Sequence, residues 1–308
     1  MVKSKEKQDI SARLSIVIPA FNEEQGIQAT LMALTDAFPG SEIIVVDDGS
    51  TDRTADQVRK FSNVRLLQHG FNRGYGAGLK TAMSQATRDY VGWFDADNEH
   101  KTEDLRAMSE MLDSQNLVAV LGQRSVSQNV VRGVGKFVIR SVGRLLKVNA
   151  GTDLNCGLRV FRRSVISRYL HLLPDGYSAS MTSTIIMVEQ GYPHAFHPLS
   201  INPRMGQSKV ALSDGFEAII LLLRIITLFA PMRVFLRLSL FFILAGLAYG
   251  IGMAVWFGRG FPVAAAALLT SGVMLGGLSL VADQISQIRI SALKSLPLSE
   301  DGQGEKNR

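Results

Sequence analysis

Three features of this 308-residue chain predict an α/β fold with a mostly parallel sheet, followed by a two-helix membrane hairpin. Short apolar runs alternate with helical patterns from Leu14 to about Gln123, the rhythm of parallel strands joined by crossover helices. Two uncharged stretches come later, Leu238 to Phe257 (20 residues) and Phe261 to Ala282 (22 residues); each is long enough to cross a hydrocarbon core about 30 Å thick. Two of the apolar strands also end in carboxylates, at Asp47-Asp48 and at Asp95-Ala96-Asp97.

Strands are expected at Leu14–Pro19, Glu42–Asp47, Val64–Gln68, Tyr90–Asp95 and Val118–Gly122. Helices fall between them at Glu23–Ala37, Asp52–Phe61, Tyr75–Ala86 and Thr102–Ser114. Past Gln123 the pattern loosens: Val130–Val148 reads as a basic helix, Leu158–Phe161 as a strand, Ser178–Glu189 as a helix and His194–Ile201 as a further strand. Asp214–Leu228 is strongly apolar yet carries Glu217 and Arg224, and Pro231 follows it. That composition suits a helix lying on a bilayer surface.

Only Gly258-Arg259-Gly260 separates the two long apolar runs, so the chain must return to its starting side. Arg224, Arg233 and Arg237 precede the hairpin and Arg289 and Lys294 follow it, against Arg259 at the tip. The positive-inside rule then places the large domain in the cytoplasm, at the inner membrane of a bacterial-type cell. The N-terminal segment Lys3–Arg13 is polar, without an apolar signal segment. Cys156 is the single cysteine, so no internal disulfide forms. The boundaries expected are a polar tail over 1–13, a catalytic domain over 14–212, an interfacial helix over 213–232, a hairpin over 233–284 (spans of about 234–257 and 261–283) and a C-terminal tail over 285–308. A net charge of +6 on such a chain points to anionic headgroups and phosphorylated substrates as partners, not to nucleic acid. A homo-oligomer stays open.

Ligands of open parallel sheets bind beyond the carboxyl ends of the strands, where all of these acidic residues lie. Period-two geometry would put Asp95 and Asp97 on one side of an extended backbone. Two such carboxylates repel unless a cation or basic side chains neutralise them. Read as a cation loop, the segment Asp95–His100 offers Asp97 and Glu99 as oxygen ligands for Mg²⁺ or Mn²⁺. Gly74, Gly76 and Gly78 do not make a dinucleotide fingerprint, because the third position falls on Leu79. Walker, serine-elbow and zinc-histidine patterns are missing from the sequence. Of the five histidines, His100 alone lies within a turn of Asp97.

The segments Ile18-Pro19-Ala20-Phe21-Asn22-Glu23-Glu24, Val45-Val46-Asp47-Asp48-Gly49-Ser50-Thr51-Asp52 and Asp95-Ala96-Asp97, in that order, resemble inverting family 2 glycosyltransferases of the GT-A fold. Asn72-Arg73-Gly74-Tyr75-Gly76, Leu121–Arg124, Asp153 through Gly157-Leu158-Arg159 with Arg162-Arg163, and Arg204–Lys209 before a membrane region are similar to the polyprenyl-phosphate glycosyltransferases of dolichyl-phosphate mannose synthase type. The resemblance spans roughly residues 14 to 285.

It implies a nucleotide-sugar donor held by Pro19, Phe21, Asn22 and Glu23 with Asp47 and Asp48, Asp95 and Ala96 at the ribose or sugar, and a metal on Asp97 and Glu99. The Glu99 position is commonly Gln in the family. The resemblance further implies a lipid phosphate as acceptor, met by Arg124, Arg132, Arg159, Arg204 and Lys209, with Asp95, Asp97, Arg124 and Arg159 as the catalytic set. Guanidinium forks match phosphate oxygens. A phosphate monoester is already anionic at neutral pH, so no general base is required. Direct attack would invert the anomeric centre. A UDP-sugar is favoured as donor, with GDP-mannose the other possibility. Two alternatives stand beside this reading: a family 2 transferase acting on a hydroxyl of a lipid or polysaccharide, and a catalytically silent membrane scaffold.

Overall fold

The structure, a computed structural model, describes residues 9–124, 153, 156–200, 231–258 and 260–294. The expected basic helix over 130–148 and the interfacial helix over 214–228 lie outside these residues. The chain separates into two compact units, one holding the sheet and the other the two long apolar helices.

In the first unit, seven strands form one sheet: β1 (Leu14–Ala20), β2 (Glu42–Asp47), β3 (Val64–Gln68), β4 (Tyr90–Trp93), β5 (Ala119–Arg124), β6 (Arg159–Arg162) and β7 (His194–Leu199). Their spatial order is β3-β2-β1-β4-β6-β5-β7. β1 pairs in parallel with β2 and β4, and β2 with β3. The sheet is mixed beyond that point: β6 runs antiparallel to both β4 and β5, while β5 and β7 are parallel.

Every residue of β1 is buried, as a central strand covered on both faces must be. The helices of this unit are α1 (Ile27–Ala37), α2 (Thr54–Val58), α3 (Tyr75–Gln85), α4 (Thr102–Ser114), α5 (Arg163–Ile166) and α6 (Ala179–Glu189). On one side of the sheet, Leu31 and Leu34 of α1 and Leu105, Met108 and Leu112 of α4 share a core with Ile16 and Ile18. α3 packs on the β1–β2 pair, and a Cβ at Gly78 would stand 3.0 Å from that of Pro19.

Two expected elements are shorter in the structure. α1 begins at Ile27, not Glu23, because the segment before it makes loop contacts with the end of β2. β4 ends at Trp93, whose pairing with Val17 and Arg159 closes the ladder. Asp95 and Asp97 therefore lie past the strand, with a turn at Ala96-Asp97 in place of the expected extended backbone.

At the other end of the sheet, Arg13 ties β1 to β4 and α4. Its guanidinium donates to Asp89 Oδ2 (3.0 Å), Asp113 Oδ1 (2.9 Å) and the Tyr90 hydroxyl (2.7 Å). The Tyr90 hydroxyl in turn donates to Asp113.

The second unit consists of α7 (Pro231–Phe257) and α8 (Val263–Lys294). Both are long and apolar enough to cross a membrane, over Pro231–Phe257 and Val263–Ile288. Small residues let the two backbones approach: a Cβ at Gly246 would lie 3.1 Å from the Ala265 carbonyl, and one at Gly272 3.0 Å from the Ser239 carbonyl. The Ser239 hydroxyl donates to the Gly272 carbonyl at 2.7 Å, a bond that water does not compete for in hydrocarbon.

The Tyr90 hydrogen bond, helped by the Arg13 charge, holds the Asp113 carboxyl below its ordinary range. A depressed folded value contributes stability above the unfolded pKa, and the contribution is lost as pH falls through the folded value. The melting temperature should therefore be higher for wild type than for Asp113→Asn near neutral pH, and the difference should shrink as the pH falls below the ordinary carboxylate range. A difference that persists undiminished at the lower pH would contradict this.

Candidate active site

The carboxyl ends of β1, β2 and β4 carry the three acidic or polar segments. After β1, Asn22 adopts a left-handed φ of 53°, which asparagine tolerates well. Its N–H donates to Ser50 Oγ (2.9 Å) and its Oδ1 accepts from the Thr51 N–H (2.8 Å). The Glu23 N–H donates to Thr54 Oγ1 at 2.9 Å. Asp52 accepts from both the N–H and the hydroxyl of Thr54, the first residue of α2. Together these bonds weld the loop after β1 to the loop after β2.

Asp47 and Asp48 are each only 2% exposed. Asp47 accepts from the Ser50 N–H and from Gln68 Nε2. Asp48 accepts from the N–H groups of Arg73 (2.9 Å) and Gly74 (2.7 Å), and its Oδ1 lies 2.6 Å from His69 Nδ1. Both carboxylates of this pair brace loops at the carboxyl end of β2, where the nucleotide-binding expectation puts them. Asp48 holds Gly74 at a φ of 100° just before α3, a backbone region that favours glycine.

Tyr75, the first residue of α3, donates its hydroxyl to Asp95 Oδ1 at 2.9 Å. The other oxygen, Oδ2, lies 3.0 Å from His100 Nε2. Burial alone would push the Asp95 carboxyl up, but the bonds to His100 and Tyr75 and the charge of Arg124 reverse this and hold it below the usual range. Burial would likewise lower the His100 imidazole, yet its bond to Asp95 and that carboxylate's charge leave it raised. A third side of Asp95 is closed by backbone, because a Cβ at Gly157 would fall 2.0 Å from Oδ2.

Ala96 is held through its carbonyl, which accepts from the Thr30 hydroxyl of α1 at 3.1 Å. Asp97 is 5% exposed and accepts from the Glu99 N–H at 3.1 Å, across Asn98 at a left-handed φ of 60°. The Glu99 carboxylate lies 3.5 Å from the guanidinium of Arg124, which ends β5 and donates through Nε to Asp153 Oδ2 at 2.7 Å. Burial opposes the Arg124 charge, and Asp153 more than offsets it, so its pKa is raised.

Arg159 begins β6. It is wholly buried and donates to the Cys156 carbonyl (2.8 Å), Ser183 Oγ (3.3 Å) and Thr184 Oγ1 (2.5 Å). A guanidinium so placed supports the Cys156-Gly157 turn behind Asp95. The Cys156 thiol is buried too, and burial pushes it up to about 12. Arg132, Arg204 and Lys209 lie outside the described residues.

Among the described residues, no three His, Cys, Asp or Glu side chains form a metal cage. Asp97 and Glu99 supply two carboxylates on one turn, an all-oxygen set. That set fits Mg²⁺ or Mn²⁺, which commonly take one or two carboxylates and complete their shell with phosphate and water. Beside the loop opens a cavity of about 620 Å³, lined in part by Thr30, Phe94, Asn98, His100 and Lys101.

Tyr75 and Asp153 thus join the site although pattern reading gave them no role, and His100, the one histidine singled out by its nearness to Asp97, joins it through Asp95. Tyr75 and Asp153 sit inside motifs quoted for the resemblance, which was their only available signal.

Residues 15–170, more than half of the chain, match the family description "Glycosyl transferase family 2". The chain belongs to this family of glycosyltransferases. Residues 230–288 match a second description, "GtrB C-terminal hairpin", which covers α7 and most of α8. The undecaprenyl-phosphate 4-deoxy-4-formamido-L-arabinose transferase of Pectobacterium carotovorum is 30% identical over 172 residues, 51% of this chain and 51% of that one, so the match spans about half of that relative. The dodecaprenyl-phosphate galacturonate synthase of Rhizobium johnstonii is 25% identical over 232 residues, 70% of this chain and 67% of that one. Glucosyl-3-phosphoglycerate synthase from Mycobacterium tuberculosis, solved with Mn²⁺, UDP-glucose and phosphoglyceric acid, shares the GT-A fold at a TM-score of 0.53 and 18% identity, over 73% of this chain and 84% of that one.

The contact of Gly157 with Asp95 is directly testable. Gly157→Ala should move the carboxylate and lower glycosyl transfer by about 10-fold to 100-fold, with a smaller effect on melting temperature than on rate. Unchanged turnover would show that the fit around Asp95 is slack.

Proposed function

We propose that this protein moves one sugar from a nucleotide sugar, preferentially a UDP-sugar, to a polyprenyl phosphate, with inversion, at the cytoplasmic face of a membrane. One observation carries the reading: a loop with carboxylates at Asp97 and Glu99 is ion-paired to Arg124 at the end of β5, in a family 2 chain that also carries a hairpin able to cross a membrane. Carboxylates suit the cation of a nucleoside diphosphate and arginine suits a phosphate acceptor. The two relatives named for undecaprenyl and dodecaprenyl phosphate support a polyprenyl acceptor.

Pro19, Phe21, Asn22 and Glu23 would line the nucleotide side, on the loop fastened to Ser50, Thr51 and Thr54. Asp95 and Ala96 would meet the ribose or sugar. Asp97 and Glu99 would hold Mg²⁺ or Mn²⁺, which as a Lewis acid neutralises charge on a diphosphate. Arg124 would orient the acceptor phosphate, together with Arg132, Arg204 and Lys209 of the segments outside the described residues. A phosphate oxygen of the acceptor forms a bond to the anomeric carbon as the bond from that carbon to the diphosphate oxygen breaks. The nucleoside diphosphate leaves with the bonding electron pair, and no proton need be removed from the acceptor. Rate acceleration then rests on alignment and charge neutralisation.

The hairpin gives this chemistry its location. A polyprenyl chain stays in the bilayer and its phosphate in the headgroup layer, so a membrane-anchored enzyme meets it by diffusion in two dimensions. Arg233 and Arg237 at the start of α7 favour the cytoplasmic side for the catalytic unit.

Asp97→Ala should lower transfer of labelled sugar to polyprenyl phosphate by ~100-fold or more, the scale of losing one electrostatic stabiliser, with the melting temperature little changed. Full activity in that variant would remove Asp97 from the metal and the cation from its proposed site.

A further inference from the structure

We propose that Tyr75 and His100 are positioning residues, which lock the Asp95 carboxylate in the orientation that meets the sugar or ribose of the donor. This inference rests on the proposed function. It adds two side chains that act through a third.

The geometry encloses Asp95. One oxygen accepts from the Tyr75 hydroxyl at 2.9 Å, the other lies 3.0 Å from His100 Nε2, and the Gly157 backbone stands against both. Each carboxylate oxygen has a second lone pair, so the clamp leaves acceptor capacity for donor hydroxyls while fixing its direction. A carboxylate just past a strand end would otherwise rotate, and its alignment would have to be restored in every catalytic cycle.

His100 is spent on this one contact. The residue is 4% exposed, its ring meets the Phe94 ring edge-on at 5.9 Å, and its Nδ1 is buried with no partner among the described residues. A buried ring nitrogen left unsatisfied is unfavourable. An apolar side chain would fill the same space without it. What such a residue would lose is the bond to Asp95.

Tyr75 reads the same way. Its ring stacks on that of Tyr177 at 5.5 Å and 21°, a contact phenylalanine would keep. Only the hydroxyl speaks to Asp95. The start of α3 is itself set by Asp48, which binds the N–H groups of Arg73 and Gly74. It is also set by the carbonyls of Pro174 and Asp175, which would stand 2.0 Å and 2.5 Å from a Cβ at Gly76 and Gly74. The end of β2 is thereby linked through Tyr75 to the loop after β4.

The test is a double-mutant cycle on full-length enzyme in detergent. It compares wild type, Tyr75→Phe, Asp95→Asn and the double variant, with donor dissociation constants from calorimetry using the UDP-sugar that supports turnover. Tyr75→Phe should weaken donor binding about fivefold or more in the wild-type background and by less than about twofold when Asp95 is already asparagine. Its KM for polyprenyl phosphate should stay within about twofold of wild type. His100→Gln, which keeps an N–H donor, should retain more donor affinity than His100→Ala. Equal effects of Tyr75→Phe in both backgrounds, no effect in the wild type, or parallel losses for donor and acceptor would overturn the inference. A wild-type enzyme that transfers no sugar to polyprenyl phosphate would overturn the functional reading, and this inference with it.

Discussion

Five carboxylates gather at the carboxyl end of one half-sheet, and their mutual repulsion decides what must surround them. Two unit charges about 4 Å apart cost about 4 kcal/mol at an effective dielectric of 20. The fold answers each differently. Asp47 and Asp48 are met by loop N–H groups, Gln68 and His69. Asp95 is met by Tyr75 and His100, Asp97 by the Glu99 N–H, and Glu99 by Arg124. The rim is therefore built from acids each of which is met by hydrogen-bond donors or a guanidinium.

The same constraint orders the loops. Asn22 and Gly74 take left-handed conformations so that backbone donors can turn toward neighbouring segments. Arg159, a cation wholly inside the unit, holds the Cys156 carbonyl from below and so fixes the turn whose Gly157 abuts Asp95. A buried guanidinium is favourable only when its donors are matched, and the hydroxyls of Ser183 and Thr184 on α6 do that. Packing of α6 and the position of the Asp95 carboxylate are consequently coupled.

Much of the fold was legible in the sequence because it rests on local periodicity. β2, β3 and α4 begin and end where their apolar patterns do, and the hairpin follows from length and hydropathy alone. The antiparallel entry of β6 was not legible, since pairing direction depends on a long connection without a strong pattern. The extent of β4 was misjudged for a related reason: the run Tyr90–Asp95 is apolar throughout its first five residues, yet its partners on β1 and β6 end the ladder at Trp93. At the site, residue types announced the chemistry but not its division of labour. Asp47, Asp48 and Arg159 look like ligand-binding groups in a string of letters, and only the structure shows that loop N–H groups meet the two acids and that the Cys156 carbonyl meets the arginine. Tyr75 looks ordinary and His100 stands out only by its nearness to Asp97, and their distances to Asp95 assign both.

Anomeric stereochemistry bears most directly on the claim that a lipid phosphate attacks the donor in line at this rim. Purified enzyme would be supplied with an α-linked UDP-sugar, a short polyprenyl phosphate and Mn²⁺, and the lipid-soluble product examined by NMR. A single sugar joined to the lipid phosphate through a β linkage is the expected product. An α linkage, a sugar on a hydroxyl, or label remaining in water with every donor would contradict it.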